Sequence, residues 1–249
     1  MTRTADRATL DVADVMQIRT RLLQTHLARR DFGQLEPLNR GALESAVARQ
    51  DTGFGNEYKY TRPHEIAASL FYGIAMNHAF ENGNKRTALV AALVSLKFND
   101  VVLSNTTQDD LYDMATQVVA HTFPIPNAVD RTVDSEVAAL GAWFRARTIR
   151  SEPYVDRAVE FPELRKILNS QGCEISTPNE NYVIISRGAQ SMKVGYPREK
   201  HTVSVRQVKR IRRSLGFDDL DSSEFYNLDV SVDEFVHEYS EVLERLADA

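Results

Sequence analysis

The chain has little cysteine: Cys173 is the only one in 249 residues, so no internal disulfide can form. No positively charged and then apolar leader opens it, and with the lone thiol this predicts a reducing, cytoplasmic setting in which Cys173 is a small core residue. Long hydrophobic runs are also missing. The longest, near residues 88–96, is far below the ~18–20 residues that cross a bilayer, which excludes a membrane-spanning reading. Only one tryptophan is present, and Trp143 stands at helical spacing from Leu140 and Val137, a core pattern rather than a cofactor platform. What is present is ordinary globular usage, 43% apolar and 26% charged, with length for one large or two small domains.

The net charge of −5 conceals a segregation along the chain. Residues 161–217 carry 11 basic and 4 acidic side chains, a net of +7, whereas residues 218–249 carry 1 and 11, a net of −10. The charge therefore marks a basic module followed by an acidic tail. Organisation follows the same divisions. Residues 1–150 read as helices with apolar stripes at three- and four-residue spacing, and a linker falls at 151–160. Within the helical part, Leu10–Leu27 carries Val12, Val15, Ile18, Leu22 and Leu23 on one side; Asn39, Thr107 and Asp130 are candidate helix caps; and the bases of Arg145–Arg150 suit a C-terminal turn. Residues 161–217 switch to helix, strands and helix, and 218–249 hold an amphipathic helix after Ser231-Val232-Asp233-Glu234, a capping-box pattern.

The most informative stretch is His78-Ala79-Phe80-Glu81-Asn82-Gly83-Asn84-Lys85-Arg86-Thr87-Ala88, which runs into an apolar segment, Leu89–Leu96. That segment is apolar on nearly every face and predicts a helix buried all round. Lys85 and Arg86 stand at its entrance, where the helix dipole favours anions by roughly 0.3–1 kcal/mol. Two cations there call for an external anion. Gly83 admits close backbone approach and Asn84 adds donors, a combination suited to phosphate. His78, within reach of the same place, is the candidate general base.

These residues resemble the signature of the Fic/Doc family, and Lys85-Arg86-Thr87-Ala88 favours its Doc form, since the nucleotidyl-transferring Fic proteins usually carry glycine where Lys85 stands. Leu10–Val15, Gly41–Arg49 and Ile66–Ala75 are similar to further blocks of Doc-like proteins in the same order, so the resemblance covers about residues 8–122. It implies a mainly α Fic/Doc-type helical bundle and transfer from ATP or another nucleoside triphosphate to a hydroxyl of a protein target. In Doc-like toxins that is phosphorylation, typically of a translation factor such as elongation factor Tu; in Fic proteins it is AMP transfer. By this resemblance His78 takes the hydroxyl proton, Phe80 anchors the loop, and Gly83, Asn84, Lys85 and Arg86 hold the phosphates.

The family's magnesium-binding acid is replaced by Asn82, with Glu81 one residue early. An amide oxygen is a weaker Mg²⁺ ligand, although substrate phosphates can carry much of the coordination. In relatives a flap beside the site docks the target chain as an added strand; here Phe54, Tyr58 and Tyr60 are the candidate contacts, against the alternative of aromatics folded onto the core. The resemblance also implies a partner antitoxin. The short pattern Ser176–Asn181 is similar to the family's self-inhibitory element, but Pro178 and the adjoining strand pattern predict a turn instead of the helix that element needs.

Residues 161–217 more weakly resemble the double-stranded-RNA-binding-like fold of HicA toxins, giving a small α+β domain. The histidine of that family's ribonuclease is absent, as Pro178–Tyr182 stands in its place, and His201 alone does not restore it. Arg206, Lys209, Arg210, Arg212 and Arg213, with Lys193 and Lys200, remain as candidate RNA contacts, and the alternative is a solvated face paired with the acidic tail. His26, His64, His121 and His237 read as polar or capping residues. Three functions stay open: phosphoryl transfer, AMP transfer, and RNA or protein binding without catalysis.

Overall fold

The computed structural model describes residues 8–25, 27, 32–55, 57–125, 130–151, 158–217 and 228–247. Its contacts divide the chain into two units, residues 1–151 with 228–249, and residues 152–227. His26, most of the expected linker and the first part of the acidic tail lie outside the described residues.

The first unit is mainly α. Helix α1 (Val12–Leu23) opens on a capping box between Asp11 and Asp14, and α2 (Arg40–Ala48) on Asn39, whose side chain accepts from the Ala42 amide. A hairpin of β1 (Gly53–Phe54) and β2 (Glu57–Tyr58) precedes α3 (Pro63–Met76). Pro63 occupies the first turn of α3, where its missing N–H costs nothing. After a seven-residue loop comes α4 (Asn84–Phe98), buried without interruption from Arg86 to Leu96. Because α4 is apolar all round it has no solvent face to offer, and α3, α1 and later helices enclose it. Gly73 sets the approach of α3 to α2: a Cβ there would lie 2.7 Å from the Ala46 carbonyl oxygen.

The chain continues through β3 (Val101–Leu103), α5 (Gln108–Val119), α6 (Val133–Ala146) and β4 (Thr148–Arg150). Thr107 and Asp110 form a capping box on α5. For α6 the cap is Thr132, boxed with Ser135, and not Asp130. Of the bases expected to close α6, Arg145 lies in its last turn and Arg147 is its C-cap, but Thr148–Arg150 is a strand paired antiparallel with β3, Val102 opposite Ile149. Thr148 and Ile149 are β-branched, and β3 gives their backbone a ladder partner that a helix end lacks.

Helices α9 (Leu228–Glu238) and α10 (Ser240–Arg245) return to this unit and pack on α1, α4 and α5. Val232, Phe235, Val236, Tyr239, Val242, Leu243 and Leu246 join the main core. Acid meets base on the same surface: Asp233 pairs with Arg21, Glu234 with Lys97 and Asp109 with Arg245. Ser231 is not the expected cap; α9 begins upstream at Leu228, so Ser231 lies inside the helix and is buried.

The second unit has its own core, centred on Leu164, Leu168, Val183, Ile185, Val208 and Ile211. Helix α7 (Phe161–Ser170) is followed by an antiparallel sheet of β6 (Glu174–Ile175), β7 (Tyr182–Arg187) and β8 (Gln190–Gly195) in that order, then by α8 (Val205–Ser214). Strand β5 (Val159–Glu160) pairs with β9 (Thr202–Val203), which extends the fold two residues upstream of the expected start. Cys173 is buried, and burial raises its thiol pKa. His201 stacks on Phe161 with its Nδ1 2.8 Å from the Arg198 carbonyl oxygen, a packing role. Ser176–Asn181 forms no helix, and Glu180 is exposed in a turn.

Candidate active site

The loop between α3 and α4, residues 77–83, is held from four sides. The Asn77 side chain donates to the Ala42 carbonyl at 3.1 Å, and the Asn39 amide donates to the Ala79 carbonyl at 3.2 Å. Asn84 clamps the loop from the first turn of α4: its Oδ1 accepts from the Phe80 amide at 3.0 Å and its Nδ2 donates to the Phe80 carbonyl at 2.9 Å. Its side chain is thus engaged by the loop. Phe80 is buried, with the Arg19 guanidinium 4.0 Å from its ring centre.

His78 follows α3 with a φ of +47°, in the left-handed region that a non-glycine residue rarely adopts. Strain of this kind persists only where the surroundings enforce it, as the anchors on either side do here. The result is an exposed imidazole on a fixed loop. Gly83 caps α4 with a φ of +76°, and a Cβ there would meet the Phe32 ring at 3.0 Å. Only glycine satisfies both the dihedral and the close ring.

One cavity of about 180 Å³ is bordered by His78, Glu81, Asn82, Gly83, Lys85 and Arg86, with Leu246 and Ala247 from the end of the chain on its wall. Asn84 also borders it. The structure therefore brings together the histidine, the glycine turn and both cations. Arg86 is buried, lies 4.2 Å from the Phe32 ring centre and donates to the Leu27 carbonyl at 3.2 Å. Lys85 is half-buried, and burial followed by the charge of Arg86 lowers its pKa.

Sequence reasoning missed Arg19. It is fully buried on α1 and donates to the carbonyls of Phe32, Leu35 and Asn82 at 3.0 Å, and also to that of Gln34. Burial first, then the charge of Arg86, lowers its pKa to about 10, while Glu81 opposes the shift. Its signal in the sequence was a lone base within the apolar arc of Val15, Ile18 and Leu22. Arg19, Lys85 and Arg86 are thus three cations gathered around one loop, with Glu81 the carboxylate that offsets them. Like charges held this close favour an anion between them.

Glu81 is exposed and borders the cavity together with Asn82. Among the described residues no group of three or more His, Cys, Asp or Glu is arranged to hold a metal ion. The flap residues separate. Phe54 is 95% exposed and Tyr58 51%, but Tyr60 is 7% exposed and belongs to the core, so it is not a docking contact. The basic residues of 206–213 lie on α8 in the other unit, where Arg212 is buried and the other four are exposed.

The model of the Fic/DOC family matches residues 9–96, which span α1 to α4 and include the whole loop. A curated relative, Toxin Doc of Mycolicibacterium smegmatis, is 44% identical over 73 residues, covering 29% of this chain and 55% of the relative. The chain thus spans about half the length of that toxin, and the family match includes His78 and residues 81–86 of the cavity lining.

Proposed function

We propose that the first unit is a Doc-like toxin module that transfers a phosphoryl group from a nucleoside triphosphate to a hydroxyl of a protein target. The observation that carries this reading is the meeting of His78 with Lys85, Arg86 and the Gly83-capped start of α4 around one cavity. Similarity to the Fic/DOC family over residues 9–96, and to Toxin Doc, supports it. At about 180 Å³ the cavity is smaller than the roughly 300–1,000 Å³ of sites that enclose a whole drug-sized ligand. It takes the phosphates and leaves ribose and base outside.

In this reading the His78 imidazole accepts the proton of the target hydroxyl as that oxygen bonds to the γ-phosphorus. The bond from phosphorus to the β-bridging oxygen breaks, and the nucleoside diphosphate leaves. Lys85, Arg86 and the α4 amides offset the charge on the phosphates. Magnesium, when bound, supplies further charge neutralisation. The donors fit an ion carried mainly by the triphosphate, held from the protein side by Glu81 or the Asn82 amide oxygen, directly or through water. Phe54 and Tyr58 are the contacts for the target chain. A translation factor such as elongation factor Tu is the target class, and an antitoxin is the natural partner.

Incubating the protein with ATP labelled at the γ or the α phosphate, in a cell extract, tests the reading. Label transferred from the γ position alone is the expected result. Transfer of α label instead identifies AMP transfer. Failure of both labels to transfer favours binding without catalysis, the reading to which the absent acid at Asn82 points.

A further inference from the structure

A second cavity of the first unit, about 330 Å³ in volume, lies between the start of α3 and one face of α6, and it shares no described lining residue with the cavity at His78. On α6 its wall runs from Asp134 through Val137, Ala138, Gly141 and Ala142 to Arg145. Spacings of three and four put these residues on one face, over about 16 Å at ~1.5 Å per residue. The middle of that face is small and apolar, with Ala138 and Ala142 open to solvent, and the buried Tyr60 adds a ring to the apolar lining. His64 and Glu65 come from the first turn of α3, and Lys59 and Arg62 from the segment that joins β2 to α3.

The charges of this lining do not cancel. Lys59 holds Asp134 at 2.6 Å, and the Glu65 carboxylate accepts from the backbone amides of Thr61 and Arg62, at 3.2 Å each. Both carboxylates are therefore engaged. Arg62 and Arg145 are exposed, and neither guanidinium has a carboxylate partner among the described residues. Burial lowers the pKa of His64, and Arg145 and Arg62 lower it further against the opposing charge of Glu65, so at pH 7 the imidazole is a neutral hydrogen-bonding group. Lys59, Arg62 and Arg145 against Asp134 and Glu65 leave one positive charge in excess. A single carboxylate would neutralise it, and the guanidinium fork offers paired N–H groups to that ligand. An apolar cavity with a few charged groups on its border, at the lower end of roughly 300–1,000 Å³, has the make-up of a small-molecule site.

We propose that this cavity binds a small organic acid, a monocarboxylate on a compact apolar body, with the carboxylate on Arg62 and Arg145 and the body over Ala138, Gly141 and Ala142. The site stands apart from the transfer chemistry proposed for the cavity at His78. Titration of the full-length protein with benzoate and phenylacetate, followed by NMR of the histidine rings, tests it, with benzamide and phenyl phosphate as comparison ligands. His64→Gln and His78→Ala assign the two ring signals that matter. Both acids should move the His64 signals to saturation and leave those of His78 in place. Benzamide, which lacks the charge, should bind about tenfold or more weakly than benzoate. R145Q removes one fork and A138L fills the floor, and each should weaken benzoate by a similar factor. Both positions are exposed, and circular dichroism of each variant checks that the fold is kept. The proposal is overturned if neither acid moves the His64 signals, if only those of His78 move, or if benzoate binding is unaltered in either variant. Benzamide or phenyl phosphate binding as tightly as benzoate overturns the ligand class.

Discussion

At the scale of residues, the candidate site depends on a few side chains with separable roles. His78→Ala removes the proposed base while leaving the loop anchors, so label transfer from γ-labelled ATP should fall about 100- to 10,000-fold. Nucleotide binding, read by titration, should change little, because in the proposed reading Lys85 and Arg86, which border the cavity, hold the phosphates. Arg19→Ala acts through structure instead. It leaves the carbonyls of Phe32, Gln34, Leu35 and Asn82 without their donor, a loss of about 3–4 kcal/mol in urea unfolding. Glu136 is the residue that makes stability depend on acid. Burial pushes its pKa up, but hydrogen bonds from Tyr72 and Arg131, with His121 beside it, outweigh burial and hold it below the ordinary 4.5. The unfolded chain therefore binds more protons in the window just below that value, and stability falls as pH drops through it. The thermal midpoint should decline more steeply on acidification below about pH 4.5 in the parent than in Glu136→Gln.

Among the elements, α4 and the helix pair α9–α10 decide the most. The burial of α4 was legible from its composition, since an all-apolar run has no other stable place. The motif loop was legible for the same local reason: Gly83 and the cations announce a helix entrance. Its anchors were not, because Arg19, Asn39 and Ala42 reach the loop from other helices. Docking of α9–α10 beside the loop was equally hidden. Deleting residues 240–249 removes Val242, Leu243 and Leu246 from the core, each worth about 1.5–3 kcal/mol, and strips Leu246 and Ala247 from the cavity wall. A thermal midpoint well below that of the intact chain is expected, read by scanning calorimetry.

For the whole molecule, two separate hydrophobic cores predict two cooperative transitions instead of one. Leu89→Ala and Leu168→Ala are each fully buried in one core, and each should shift one calorimetric transition by the equivalent of about 2–5 kcal/mol while leaving the other in place. Two transitions that move together in both variants would show a single cooperative unit.

The sequence alone determined the features that act over a few residues or a helical turn: the buried helix, its cationic entrance, the histidine before it, and the change of pattern after residue 160. Periodicity and charge carry that information locally. Only the tertiary structure decided which distant groups meet: Arg19 under Phe80, Tyr60 in the core, Thr148–Arg150 as a strand against β3, and the chain's end on the wall of the cavity. Those outcomes are settled by burial and hydrogen-bond satisfaction between segments far apart in the chain, and a pattern read along the chain contains no term for them.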